Sequence, residues 1–153
     1  MPDCCCAGSV DSAASTFTCS ACGTKGSPVE ELTVKALLFD AALRRFEPGV
    51  YRFCPDASCD VVYFDAEGRT FTTVDLRVPV WQKQAPGART ICYCFGENET
   101  DIRAEVEFTG QSNAEARVRA HIHAGRCACE VRNPKGACCL GDVVQAVKRV
   151  THG

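Results

Sequence analysis

The sequence predicts an α+β chain made of two small modules, a β-rich one followed by one of short helices. Three observations lead there. The 13 cysteines of the 153-residue chain fall into separate early and late groups. Runs of β-branched and aromatic residues fill the middle of the chain, and capped helical periodicity fills its last third. A chain of this length suits one ordinary domain or two very small ones. Folds below roughly 70 residues usually need a metal or disulfide staple to supplement a thin core. The expected division is a flexible Cys-rich tail at 1–16, a zinc-knuckle and β-hairpin module at 17–86, and a helical metal-binding module at 87–153.

Residues 1–16 are small and polar apart from Cys4, Cys5 and Cys6, without periodicity. The run from Phe17 to Gly26 reads as a knuckle: a short strand, Cys19 and Cys22, then Gly23 and Gly26 to turn the backbone. Glu31 to Phe46 is ambiguous between a strand at Leu32–Leu38 and a helix through Ala41–Arg45. Val50–Phe53 and Val61–Phe64 are strands flanking a loop that carries Cys54 and Cys59. Asp65–Gly68 is a turn, and Thr70–Val78 returns as β-branched alternation. Pro79 and Gln82–Gly87 form a connector. Asn98-x-x-Asp101 and Ser112-x-x-Glu115 predict helix starts, the second as a capping box, for helices near 99–107 and 113–124. Asn133–Gly136 is a turn. In the run Cys138–Val150, Leu140, Val143, Val144, Val147 and Val150 recur at spacings of three and four, a final helix.

Several function classes are disfavoured. A net charge of −2 gives no electrostatic basis for binding nucleic acid. No stretch approaches the roughly 18 consecutive apolar residues of a membrane span. No phosphate loop, paired-carboxylate site or nucleophile–His–acid signature argues for an enzyme. Disulfides are disfavoured by the odd number of cysteines, by tight spacings that suit chelation, and by Met1-Pro2-Asp3, which does not resemble a secretory signal. The expectation is a cytoplasmic, non-enzymatic metal protein.

Cys19-x-x-Cys22 and Cys54-x4-Cys59 supply two clips of thiolate, the donor set of a closed tetrahedral zinc site. Closing the long loop between the clips would stabilise a module too small to hold itself by burial alone. The later group differs in kind. Cys92-x-Cys94 places two thiolates one residue apart on an extended strand end, tight for one tetrahedral ion and suited to adjacent ligands of a cluster. A 2Fe–2S cluster takes four thiolates, two per iron, and helix N-termini near Asn98 and at the last helix are available to ease its charge.

The order Cys92-x-Cys94, two helices, then cysteines leading into a helix resembles bacterioferritin-associated ferredoxin-type 2Fe–2S domains. The run from Cys129 to Cys138-Cys139 departs from their compact spacing. It is similar instead to the N-terminal domain of CopZ-type copper chaperones, which joins a zinc module to a 2Fe–2S module. The likeness extends to Cys19/Cys22, to Phe53-Cys54 through Cys59-Asp-Val-Val-Tyr-Phe64, and to Cys92-Tyr-Cys94, covering about residues 17–150. It implies zinc at Cys19, Cys22, Cys54 and Cys59. It implies a 2Fe–2S cluster at Cys92, Cys94, Cys129 and one of Cys138 and Cys139. Cys139 is preferred because it enters the last helix. Cys127 is then a supporting or free thiol beside the cluster, and Cys127-x-Cys129 leaves a one-residue slip of register open. Chaperones of this type also carry a ferredoxin-like copper domain with a Met-x-Cys-x-x-Cys loop, which has no counterpart up to Gly153, so copper delivery does not carry over with the resemblance.

Three adjacent thiols, Cys4–Cys6, suit capture of a soft ion such as Cu(I) or Hg(II) and its transfer by ligand exchange to a protein partner. The plainer reading is a tail whose thiols have little role. His121 and His123 read as ordinary helix-face residues, since positions i and i+2 diverge. Lys35, Arg44, Arg45, Lys83 and Arg89 read as solvated charges. The expected function is soft-metal handling with a one-electron cluster. A ferredoxin-like carrier serving an oxidoreductase and a zinc-only interaction module are the alternatives.

Overall fold

The computed structural model describes residues 17–152. It is α+β, with two cores set side by side. The first is a four-stranded antiparallel meander of β1 Ser27–Val29, β2 Tyr51–Phe53, β3 Val61–Asp65 and β4 Thr70–Thr72, in that order. The register pairs Val29 with Tyr51, Phe53 with Tyr63, and Phe64 with Thr70. Strand alternation sends Tyr51, Phe53, Tyr63 and Phe71 to one face and Arg52 and Phe64 to the other. A bulge between Val61 and Tyr63 breaks strict alternation on β3 and adds Val62 to the first face.

The ambiguous segment after β1 is helical. Helices α1 Glu31–Leu37 and α2 Asp40–Leu43 cover the aromatic face of the sheet. Val34, Leu37, Leu38 and Ala42 are buried there among Tyr51, Phe53, Tyr63 and Phe71. Spacings of three and four put the apolar positions on one side of a helix, whereas a strand would have exposed half of them. Leu38 then leaves the helix extended and bridges to Leu76.

The expected strand Thr70–Val78 stops at Thr72. Asp75 accepts from the Thr72 backbone N–H at 2.8 Å, and the segment turns into a 3-10 helix at Thr73–Asp75. A carboxylate three residues on offers the backbone a partner that competes with the sheet. The connector also has structure, a 3-10 turn at Trp81–Lys83.

The second core lies against a hairpin that the spacing did not reveal, β5 Thr90–Cys92 and β6 Glu97–Asn98. Helices α3 Glu99–Thr109, α4 Ala114–His123, α5 Cys129–Arg132 and α6 Leu140–His152 complete it. Asn98 caps α3 as expected, accepting from the Asp101 N–H at 2.9 Å. The capping box at Ser112 is not formed. Ser112 Oγ accepts from the Ala114 N–H, while Glu115 pairs with Arg119 at 3.0 Å. Ile91, Ile102, Ala114, Val118, Val143 and Ala146 are buried together, with Cys92, Cys129 and Cys139 among them. No helix among the described residues is long and apolar enough to cross a membrane.

Candidate metal centres

The proximal group is held by backbone turns. The Gly23 N–H donates to the Cys19 carbonyl at 2.7 Å and the Cys19 N–H to that of Thr24 at 2.8 Å, folding the first clip into a knuckle. Gly23 has φ +77°, a left-handed conformation that glycine adopts without cost. On the second clip, Cys54 donates to the Val62 carbonyl at 2.9 Å, and the Asp56 side chain accepts from the Ser58 N–H at 2.8 Å. Gly26 packs so tightly that a Cβ there would lie 2.5 Å from the Phe64 ring and 2.8 Å from Arg52 Cβ. This contact draws the knuckle onto the sheet.

The result is a four-thiol cage. The sulfurs of Cys19 and Cys59 are 3.8 Å apart and those of Cys22 and Cys54 3.6 Å apart, and all four converge within 4.8 Å. Zinc–thiolate bonds of about 2.3 Å in a tetrahedron place sulfurs about 3.8 Å apart. The donor set therefore fits zinc. Cys19, Cys54 and Cys59 are buried with Val61 and Phe64, while Cys22 is exposed.

Hydrogen bonds prepare these sulfurs for negative charge. The Thr24 hydroxyl and backbone N–H hold the Cys22 thiol down at about 7. Burial pushes Cys54 up to about 12, opposed by the Asp56 N–H, and burial also raises Cys59, opposed by the Val61 N–H. In each case the backbone group that favours the thiolate belongs to the residue two positions on. Without a metal the buried pair holds its protons, and a bound cation would displace them.

Lys83 is not a solvated charge. Its Nζ donates to the carbonyls of Asp56 and Cys59, both at 2.8 Å, and clasps the loop between the ligands. Arg89 is not solvated either: it forms a bidentate, largely buried pair with Glu99, the shorter contact 2.7 Å. Arg45 reaches Asp75 at 2.9 Å. Spacing along the chain carries no signal for such pairs, because the partners are distant in sequence.

The distal group assembles differently. Cys92 ends β5 and Cys94 lies in the hairpin turn, where the Gly96 N–H closes on the Cys92 carbonyl at 2.8 Å. The pair thus meets through a turn rather than along an extended strand, since the chain must reverse to form β6. Cys129 opens α5. Cys139 immediately precedes α6, and its carbonyl accepts from the Val143 N–H at 2.9 Å. The sulfurs of Cys94 and Cys129 are 3.6 Å apart.

The Cys92 and Cys139 thiols lie near this pair, and the four shift one another's ionisation. Interaction with the Cys139 and Cys94 thiols draws Cys129 down to about 3, helped by Lys135. Cys139 and Cys94 are pushed up by the neighbouring thiols and by burial. Backbone donors converge here too. The Ala128 N–H reaches the Cys94 sulfur at 3.2 Å, while the backbone of Phe95 and Cys94 lowers Cys92 and that of Cys139 lowers Cys129. These donors favour thiolate, the form that binds metal.

Cys138 is half-buried and packs against this core beside Cys139. Cys127 packs against the same core and is disulfide-bonded, a correction to the free thiol and the absence of disulfides that the sequence suggested. The α3 N-terminus is occupied by Asn98 and by the acidic residues Glu99 and Asp101, which leaves it no role in easing charge at the thiols. His121 stacks on Phe95 with centroids 4.4 Å apart and meets Arg126 at 3.2 Å. Cys4, Cys5 and Cys6 lie outside the described residues.

The comparisons with known proteins agree with this geometry. Residues 16–77 match the family described as the CopZ zinc binding domain. The copper chaperone CopZ of Archaeoglobus fulgidus is 32% identical over 142 residues, which make up 86% of this chain and 67% of that protein. The X-ray structure of the Archaeoglobus fulgidus CopZ N-terminal domain superposes with a TM-score of 0.69 at 29% identity, covering 84% of this chain and 96% of that one. The matched zinc-binding region contains all four proximal thiols. The chain belongs to the CopZ family, and what it shares with that family is a metal-binding N-terminal domain.

Proposed function

We propose that this protein handles a soft metal, Cu(I) first and Hg(II) by the same chemistry, using a structural zinc site and a redox-active 2Fe–2S site. Zinc is assigned to Cys19, Cys22, Cys54 and Cys59, in a module of about residues 17–86. The cluster is assigned to Cys92, Cys94, Cys129 and Cys139, in a module of about 87–153. The observation that carries this reading is that one chain gathers two four-thiol groups of different shape. The proximal sulfurs close on one point, and the distal ones gather more loosely about the 3.6 Å contact of Cys94 with Cys129.

The donors fit such a cluster, because two thiolates come from the hairpin turn and two from the α5–α6 segment. When bound, it would supply a one-electron couple. The chain's own part is to hold the sulfurs apart, donate N–H groups to them and bury three of the four. Hydrogen bonds to sulfur and burial are what set the potential of such a site. The role proposed is binding and electron exchange in the cytoplasm rather than catalytic turnover. Cys4–Cys6 are the proposed capture thiols, which hand the ion to a protein partner by ligand exchange.

Metal and sulfide content per chain after anaerobic purification tests the assignment. The expected outcome is one zinc, two irons and two sulfides per chain, with visible absorption and a rhombic EPR signal after reduction. Cys92→Ser should lose colour and keep zinc; a variant that stays coloured would remove Cys92 from the ligand set. Replacing Cys4, Cys5 and Cys6 together by Ser should weaken Cu(I) and Hg(II) binding. Unchanged affinity would reject capture and leave the ferredoxin-like reading.

A further inference from the structure

The two thiol groups are tied together by hydrogen bonds that neither group requires for its own closure. On one side, Lys83 clasps the proximal loop at Asp56 and Cys59, both at 2.8 Å. Lys83 ends the 3-10 turn that begins at Trp81. The Trp81 N–H donates to Tyr93 Oη at 2.9 Å, and Tyr93 Oη donates to the Pro79 carbonyl at 2.6 Å. Tyr93 lies between Cys92 and Cys94, so this route ends in the hairpin turn that carries the first distal pair.

On the other side, Tyr63 of β3 is wholly buried and donates to the Pro134 carbonyl at 2.6 Å. Pro134 belongs to the turn between Cys129 and Cys139. Asn133 braces that turn: it is buried and donates from its side chain to the Ala137 carbonyl at 2.8 Å, and its Oδ1 accepts from the Lys135 N–H at 3.1 Å. Gly136 of the same turn lies so close to β1 and α1 that a Cβ would stand 3.0 Å from Val29 and 3.1 Å from Thr33 Oγ1. The second distal pair is thus fixed to the sheet independently of the first.

We infer that Tyr63 and Lys83 are positioning residues for the distal centre, and that the zinc module sets the separation between its two thiol pairs. Cys92 and Cys94 sit on a hairpin, Cys129 and Cys139 on helix starts, and a rigid cluster accepts only a narrow range of distances between them. Each pair carries its own tie to the sheet on which the proximal ligands are mounted. The zinc-loaded first module therefore acts as the jig for the second. This inference rests on the reading of the distal thiols as the cluster site.

The test uses the full chain, purified anaerobically, with Tyr63→Phe, Lys83→Met, their combination, and Lys83→Arg as the conservative partner. Zinc content reports that the first module is folded. The positional readouts are the visible circular dichroism, the midpoint potential and the rate of iron loss to a ferrous chelator. Tyr63→Phe and Lys83→Met should each keep zinc and lose iron roughly 10-fold faster, the size typical of supporting contacts around a metal. Their visible dichroism and potential should shift, and Lys83→Arg should recover part of the change. Zinc-loaded variants with unaltered iron loss, dichroism and potential would overturn the inference.

If the unaltered protein holds neither iron nor sulfide, the assignment of the distal site is wrong. The positional link is then judged in the zinc-loaded, cluster-free protein by the rate at which iodoacetamide modifies Cys94 and Cys129. Faster modification in Tyr63→Phe and Lys83→Met upholds the link, and equal rates reject it.

Discussion

Gly26 shows how one residue carries the proximal site. Its lack of a side chain lets the knuckle rest on Phe64 and Arg52, both buried, and the Arg52 guanidinium lies over the Phe17 ring at 4.8 Å. Gly26→Ala should cost about 1–3 kcal/mol through overpacking, read as a fall in unfolding midpoint of the zinc-loaded protein. A midpoint within error of the unaltered protein would show that the contact yields. Glu99 carries the corresponding weight beside the distal hairpin. It accepts from Arg89 and from the Gly87 and Arg89 N–H groups, and the Arg89 bond first of all lowers its carboxyl to about 2. A carboxyl depressed from 4.5 in the unfolded chain stabilises the fold above pH 4.5 and loses that contribution as pH falls towards 2. Glu99→Gln should therefore cost on the order of 2–3 kcal/mol at neutral pH, and the gap should close in acid. Denaturant titrations at pH 7 and pH 3 measure it; a gap that stays constant with pH would contradict the ion pair as its source.

At the scale of elements, local signals succeeded where a backbone group is satisfied by its neighbours and failed where the partner is remote. Asn98 was legible as a cap because its acceptor duty lies three residues away. Asn98→Ala should cost about 1 kcal/mol and fray the start of α3, seen as faster amide exchange at Asp101. Unaltered exchange would mean that packing of Ile102 holds the first turn alone. Ser112 carried the same motif, yet its hydroxyl donates to Glu105 at 2.7 Å, a residue of the preceding helix. The β5–β6 hairpin was missed because the strands are short and their turn is occupied by ligands rather than by a recognisable turn sequence. Helix α1 was left ambiguous because an apolar run fits helix and strand alike until the sheet beneath it is known.

For the molecule as a whole, zinc is expected to act as a staple. Removing it with a strong chelator should abolish amide protection at Tyr51, Phe53 and Tyr63. Metal binding to such sites is worth roughly 10–16 kcal/mol, comparable to the entire stability of a small domain. Protection that persists without zinc would make the sheet self-sufficient. Zinc affinity should also rise with pH. Burial drives Cys54 up to about 12 and Cys59 upward, so both are protonated at neutral pH in the metal-free chain and must give up protons on binding. Each proton released strengthens binding about tenfold per pH unit. Competition with a chromophoric chelator at two pH values measures the slope, and a flat response would mean that the thiols are already ionised.

The sequence by itself determined the α+β class, the two groups of thiols, and the clips Cys19/Cys22 and Cys54/Cys59, because ligand spacing and strand alternation are local properties. For the later group, the resemblance to CopZ-type chaperones implied Cys92, Cys94, Cys129 and one of Cys138 and Cys139, with Cys139 preferred for its entry into the last helix. Only the tertiary structure decided how the sulfurs meet, with the proximal four converging on a point and Cys94 meeting Cys129 across the distal core. It alone revealed Tyr63 as a bond between the two halves, Lys83 as the clasp of the proximal loop and Arg89 as a buried ion pair. Those contacts join residues 10 to 71 positions apart, and nothing in local periodicity encodes a hydrogen bond that forms only once distant segments have packed.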